Sequence, residues 1–155
     1  MAELRKVLCP VDLSHEMSAA EEAASLAKLL GAELVLLHVM GEPAFVVADP
    51  MITPAELPST AGYALPALAE EYRTEMDRRL ARLSDKLRAG GISVSTRLVR
   101  GATHEAIVSA ADHEHADLIV MGTHARHGLQ HLLLGSVAER VVRTAKVPVM
   151  TLRLH

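Results

Sequence analysis

The stretch MGTHARHGLQHLLLGSVAERVV, residues Met121 to Val142, decides how the chain is read. It is entered from Leu118-Ile119-Val120-Met121, a short apolar run with no polar face, which predicts a buried strand. After a polar gap, Gly135-Ser136 opens an amphipathic segment that turns Val137, Val141 and Val142 inward. Ser136-x-x-Glu139 has the spacing of a capping box, in which the serine accepts from a first-turn amide while the glutamate reaches back. Gly135 lets a ligand approach the backbone closely, and a helix N-terminus favours negative charge. Read alone, the stretch is either an anion cradle or simply the start of a helix.

The rest of the chain repeats this strand-then-helix alternation. Leu4 to Val11 reads as a buried strand stopped by Asp12 and Ser14. From Met17, apolar residues recur at Ala20, Ala23, Ala24, Ala27 and Leu30, a helical spacing closed by Gly31. Glu33 to Met40 is apolar on both faces, as a central strand covered from two sides must be. A long helix is predicted over Ala67 to Ala89, with Tyr72, Met76, Leu80, Leu83 and Leu87 as its buried stripe. Ile92 to Val99 alternates as a strand, and Thr103 is placed to cap a helix carrying Ala106, Ile107, Ala110 and Ala111. Ala116 to Met121 and Pro148 to Leu152 are the last two strands.

Five strands alternating with four helices predict a single α/β domain over 1–155, an open parallel five-stranded sheet with helices on both faces. Such Rossmann-like sheets bind ligands beyond the carboxyl ends of their strands, where the strand order reverses. That places Asp12, the residues after Val39 and the opening stretch on one rim. Gly41 to Pro66 breaks the rhythm with five of the seven prolines, and reads as a long loop, either a cover over the site or a plain insertion.

Composition narrows the function classes. Half of the 155 residues are apolar but only 2% aromatic, so the core must be aliphatic. A formal net charge of −3 with interspersed signs gives no footprint for nucleic acid. No apolar stretch approaches the roughly 20 residues that cross a bilayer, and the N-terminus lacks a signal-peptide pattern. The expectation is a cytoplasmic protein that binds neither membrane nor nucleic acid. The single cysteine, Cys9, lies in an apolar run and reads as a small buried hydrophobe. His113, His115, His124, His127 and His131 lack the cysteine partners or His-Glu-x-x-His spacing of a metal site, and no metal is expected. No nucleophilic triad or carboxylate pair stands out, so no catalytic residue is assigned and the chain is not read as an enzyme.

Gly122-x-x-Ala125, nine residues, then Gly135-Ser136 resembles the nucleotide-binding signature of the universal stress protein family, Gly-x2-Gly-x9-Gly-(Ser/Thr). Val7 to Ser14, Leu36 to Met40, Asp117 to Thr123, Leu132 to Glu139 and Val147-Pro148-Val149 are similar to further blocks of that family, so the resemblance spans almost the whole chain. It implies the adenine nucleotide alpha hydrolase-like arrangement of the sheet and a stress-response module that binds ATP or a related adenine nucleotide. It also implies a homodimer paired through the last strand, and a divalent cation bridging the bound phosphates is a separate expectation. Pro10 and Asp12 would lie against the adenosine, with the Asp12 carboxylate accepting from ribose hydroxyls. Val39 would offer main-chain groups to the adenine edge. Met121 and Gly122 would line the ribose, and Gly135, Ser136 and Val137 would hold phosphates.

Ala125 departs from the family's second glycine. If the backbone there is left-handed, alanine costs roughly 1–2 kcal/mol, or about tenfold in affinity per 1.4 kcal/mol. Arg126 and His127 follow directly, where they can offset part of that loss by pairing with phosphate oxygens. The competing expectation is a dimeric interaction protein of the same family whose nucleotide site is weak or empty.

Overall fold

Each apolar run becomes a strand of one parallel sheet. The computed structural model describes residues 3–13, 18–41, 61–123 and 134–153. In chain order they form β1 (Lys6–Pro10), α1 (Ser18–Leu30), β2 (Glu33–Met40), α2 (Ala61–Arg88), β3 (Val94–Arg100), α3 (Thr103–His113), β4 (Leu118–Gly122), α4 (Ser136–Thr144) and β5 (Val149–Leu152). The strand order is β3-β2-β1-β4-β5, with every neighbouring pair parallel. The chain therefore winds outward from β1 to β3, then crosses to β4 on the other side, leaving the reversal point between β1 and β4.

Side-chain alternation along the strands divides the core into two layers. Val7, Cys9, Leu34, Leu36, Leu118 and Val120 pack beneath α1 and α2, through Ala20, Ala23, Ala24, Ala27, Leu80 and Leu87. Leu8, Val35, Leu37, Ile119 and Met121 pack beneath α3 and α4, through Ile107, Ala110, Ala111, Ala138 and Val141. The alanines of α1 have little side chain to hold the helix away from the sheet. Among the described residues no helix is long and apolar enough to cross a membrane.

The carboxylate of Asp117, just ahead of β4, ties the amino ends of the central strands together. Its Oδ2 accepts from the Arg5 and Lys6 amides, each at 2.9 Å, while its own amide donates to the Lys6 carbonyl at 2.8 Å. Gly31 ends α1 as its sequence predicts, at φ +64°. The Ala32 amide returns to Ala27 O and the Gly31 amide to Lys28 O, the paired bonds of a Schellman motif.

Several expectations need correction. α2 begins at Ala61 and carries Pro66 within it. A proline near a helix start removes one main-chain bond and need not stop the helix. The segment 42–60 of the expected loop lies outside the described residues. Tyr72 is 52% exposed, so the buried stripe of α2 is Met76, Leu80 and Leu87, with Leu83 partly buried. The reason is length: 28 helical residues at ~1.5 Å rise outreach an eight-residue strand at ~3.3 Å. Val142 is also largely exposed, on the flank of the stripe made by Ala138 and Val141.

Neither predicted serine or threonine cap forms. Ala102 and Gly135 occupy the cap positions of α3 and α4 without side-chain hydrogen bonds, and Thr103 and Ser136 are the first helical residues. With Ser136 already helical, its hydroxyl has lost the cap geometry, and Glu139 pairs with Arg143 one turn on instead.

Candidate functional site

The rim at the carboxyl ends of the strands is built around the gap between β1 and β4. Pro10, the last residue of β1, has no amide to donate toward β4, and Asp12 follows two residues later with an exposed side chain. β2 runs beyond that point to Met40. Its odd-numbered residues direct their peptide groups toward β1, as the Glu33 N–H to Arg5 O and Val11 N–H to Leu37 O bonds show. Its even-numbered residues face β3, as Leu34 N–H to Ser93 O and Gly101 N–H to Met40 O show. Val39 thus presents its main-chain N–H and C=O on the side where β1 has ended.

β4 supplies the opposite wall. Ile119 and Thr123 donate to Pro148 O and Leu152 O on β5, so the intervening Gly122 directs its peptide groups toward the β1 side. The Met121 side chain is buried in the layer under α3 and α4, and its peptide groups face β5 like those of Ile119 and Thr123, so Met121 offers the gap no polar group.

The Gly135 amide donates to the Thr123 carbonyl at 2.6 Å. That bond brings the chain back to the end of β4 and sets the N-terminus of α4 beside it. Gly135 has φ −69° and ψ 159°, extended backbone that any residue adopts, so its lack of a side chain is not required by the turn. The first main-chain bond of α4 runs from Glu139 N–H to Gly135 O at 2.9 Å. The amides of Ser136, Val137 and Ala138 precede it and have no intrahelical partner, and among the described residues no side chain caps them. Ser136 is exposed, whereas Val137 leans on the core. Such a helix start attracts an anion.

Pro10, Asp12, Val39, Gly122, Gly135, Ser136 and Val137 therefore belong to one rim, with Met121 next to it on β4 but turned to the core and to β5. Ala125 and Arg126 lie outside the described residues, as do His124, His127 and His131. His113 and His115 are exposed at the end of α3, at the opposite end of the sheet. Among the described residues no group of three His, Cys, Asp or Glu side chains is placed to hold a metal ion. Cys9 is buried and its thiol is pushed up to about 12 by desolvation, which makes it a poor nucleophile.

One rim-side residue escaped the sequence reading. His38 is buried on β2, and its Nδ1 lies 2.9 Å from the Val11 carbonyl. Its only sequence signal was a polar residue inside the apolar run ELVLLHVM.

Residues 3–153 match the model of the universal stress protein family. The chain belongs to the universal stress protein family. Universal stress protein MJ0577 of Methanocaldococcus jannaschii is 32% identical over 158 aligned residues, covering 96% of this chain and 94% of that one. The solved structure of MJ0577 superposes with a TM-score of 0.77 and 26% identity over 99% of both chains. Two further universal stress proteins share the fold. One, solved in complex with cAMP, has a TM-score of 0.62 at 23% identity, over 99% of this chain and 100% of that one. The other, from Archaeoglobus fulgidus in complex with dAMP, has a TM-score of 0.60 at 20% identity, over 97% and 98%.

Proposed function

We propose that this universal stress protein binds ATP or a related adenine nucleotide at the carboxyl rim, as a cytoplasmic stress-signalling module rather than an enzyme. The observation that carries the reading is the Gly135 N–H to Thr123 O bond, which sets the first-turn amides of α4 beside the reversal point of the sheet. Phosphates would take those amides and the Ser136 hydroxyl, the ribose would take Asp12, and the adenine edge would take the Val39 peptide groups. A divalent cation would accompany the phosphates. Membership of a family in which proteins of this fold hold cAMP and dAMP supports the choice of adenine nucleotide.

The module is proposed to act as a homodimer through β5. A dimeric interaction protein with a weak or empty site is the second reading, favoured by Ala125 where the family signature has glycine. Calorimetric titration of Asp12→Ala separates the two. If Asp12 holds the ribose, the variant weakens ATP and AMP by the same factor, about tenfold or more for a lost charge-assisted hydrogen bond. A loss confined to ATP would contradict the ribose assignment.

A further inference from the structure

We infer that His38 is a positioning residue: it ends the pairing of β1 with β2 and so leaves the Val39 peptide groups open to a nucleobase. The ladder between these strands proceeds regularly as far as Val11 N–H to Leu37 O at 2.8 Å. Its next rung would run from Val39 N–H to the Val11 carbonyl. Among the described residues that rung is not made, and the Val11 carbonyl takes a hydrogen bond from the His38 ring at 2.9 Å.

The chemistry of this contact is one-sided. A carbonyl oxygen only accepts, so Nδ1 carries the proton and Nε2 is left as a bare acceptor. That Nε2 is buried and has no partner among the described residues. A phenylalanine ring would fill the same space without desolvating an acceptor, so packing alone does not account for histidine here. What the histidine adds is the donor that holds the Val11 carbonyl.

Two consequences follow. Val11 is fixed at both its peptide groups, by Leu37 O and by His38, and Asp12 is the next residue. Val39, immediately after His38, directs into the gap an N–H and C=O without partners among the described residues, a donor and acceptor pair that matches the edge of adenine. This inference rests on the nucleotide reading for its ligand, but not for the ladder itself.

The test compares the wild type with His38→Phe, which keeps a ring without a donor, and His38→Asn, whose amide can replace the Nδ1–H. In nucleotide-free protein, amide hydrogen exchange at Val39 should slow at least tenfold in His38→Phe, as the ladder gains its missing rung, and return toward the wild-type rate in His38→Asn. Adenosine and ATP should both bind about tenfold or more weakly to His38→Phe, with rescue in His38→Asn. Unchanged exchange at Val39 in His38→Phe overturns the positioning role. Altered exchange together with no nucleotide binding by the wild type overturns the proposed function and the ligand half of this inference, while the ladder role of His38 stands.

Discussion

At the end of α3 a histidine stands where the end of α1 carries Gly31. The Ala116 amide returns to Ala111 O and the His115 amide to Asp112 O, the same Schellman pairing, and His115 is held at φ +53°. The left-handed backbone costs an L-residue roughly 1–2 kcal/mol, partly balanced by the greater chain entropy that glycine loses on folding. Because His115 is exposed and sacrifices no packing, His115→Gly should stabilise the protein by about 0.5–1 kcal/mol. Thermal unfolding should rise by about 1–4 °C, and a lower midpoint would contradict the strain argument. Cys9 yields a pH prediction. Burial raises its thiol from 9.0 to about 12, so over that window the unfolded chain releases a proton that the folded chain keeps. Stability from this group is complete below pH 9 and falls by up to about 1.4 kcal/mol per pH unit toward pH 12. Cys9→Ala should accordingly show a shallower loss of stability than wild type in denaturant titrations across that range. Parallel slopes would contradict it.

Among the elements, α4 shows most clearly what the sequence could and could not disclose. Its start was legible to within a residue because Gly135-Ser136 interrupts an apolar run, whereas spacing placed Val142 inward and the structure leaves it exposed beside the stripe of Ala138 and Val141. The cap was not legible, since Ser136-x-x-Glu139 is compatible with the serine either at the cap or one residue inside. Backbone geometry chose the second and left three amides without a cap among the described residues. Gly31 was legible because glycine after an alanine-rich helix has few other uses, whereas the extent of α2 was not, since Pro66 argued for a later start. The role of His38 depends on where β1 stops relative to β2, which no local pattern records. Since the backbone at Gly135 suits any residue, Gly135→Val should fold normally while its side chain obstructs the amides of α4. ATP affinity should fall at least tenfold, with AMP losing less because it brings a single phosphate. Urea unfolding and parallel ATP and AMP titrations check both halves, and equal losses for the two nucleotides would argue against phosphates at this helix.

For the whole molecule, strict alternation of strands and helices was enough to predict the parallel sheet and its two covered faces. The order of the strands came from the structure, because periodicity fixes elements but not neighbours. That order leaves β5 at an edge. Pro148 and Leu152 turn their carbonyls to β4, so Val149 and Thr151 direct their peptide groups outward, toward the side where the proposed twin would pair. Val149→Pro removes an outward donor and spares the β4–β5 ladder, so it should convert a dimer to a folded monomer or an aggregate in sedimentation at micromolar concentration. A wild-type monomer under those conditions would contradict the dimer. If the rim between β1 and β4 receives an adenine nucleotide, as proposed, isothermal titration of ATP into nucleotide-free wild-type protein detects it. Saturable binding of one nucleotide per chain, weakened by Asp12→Ala, is the expected result. Absence of saturable binding up to millimolar ATP, with the protein folded, would contradict it.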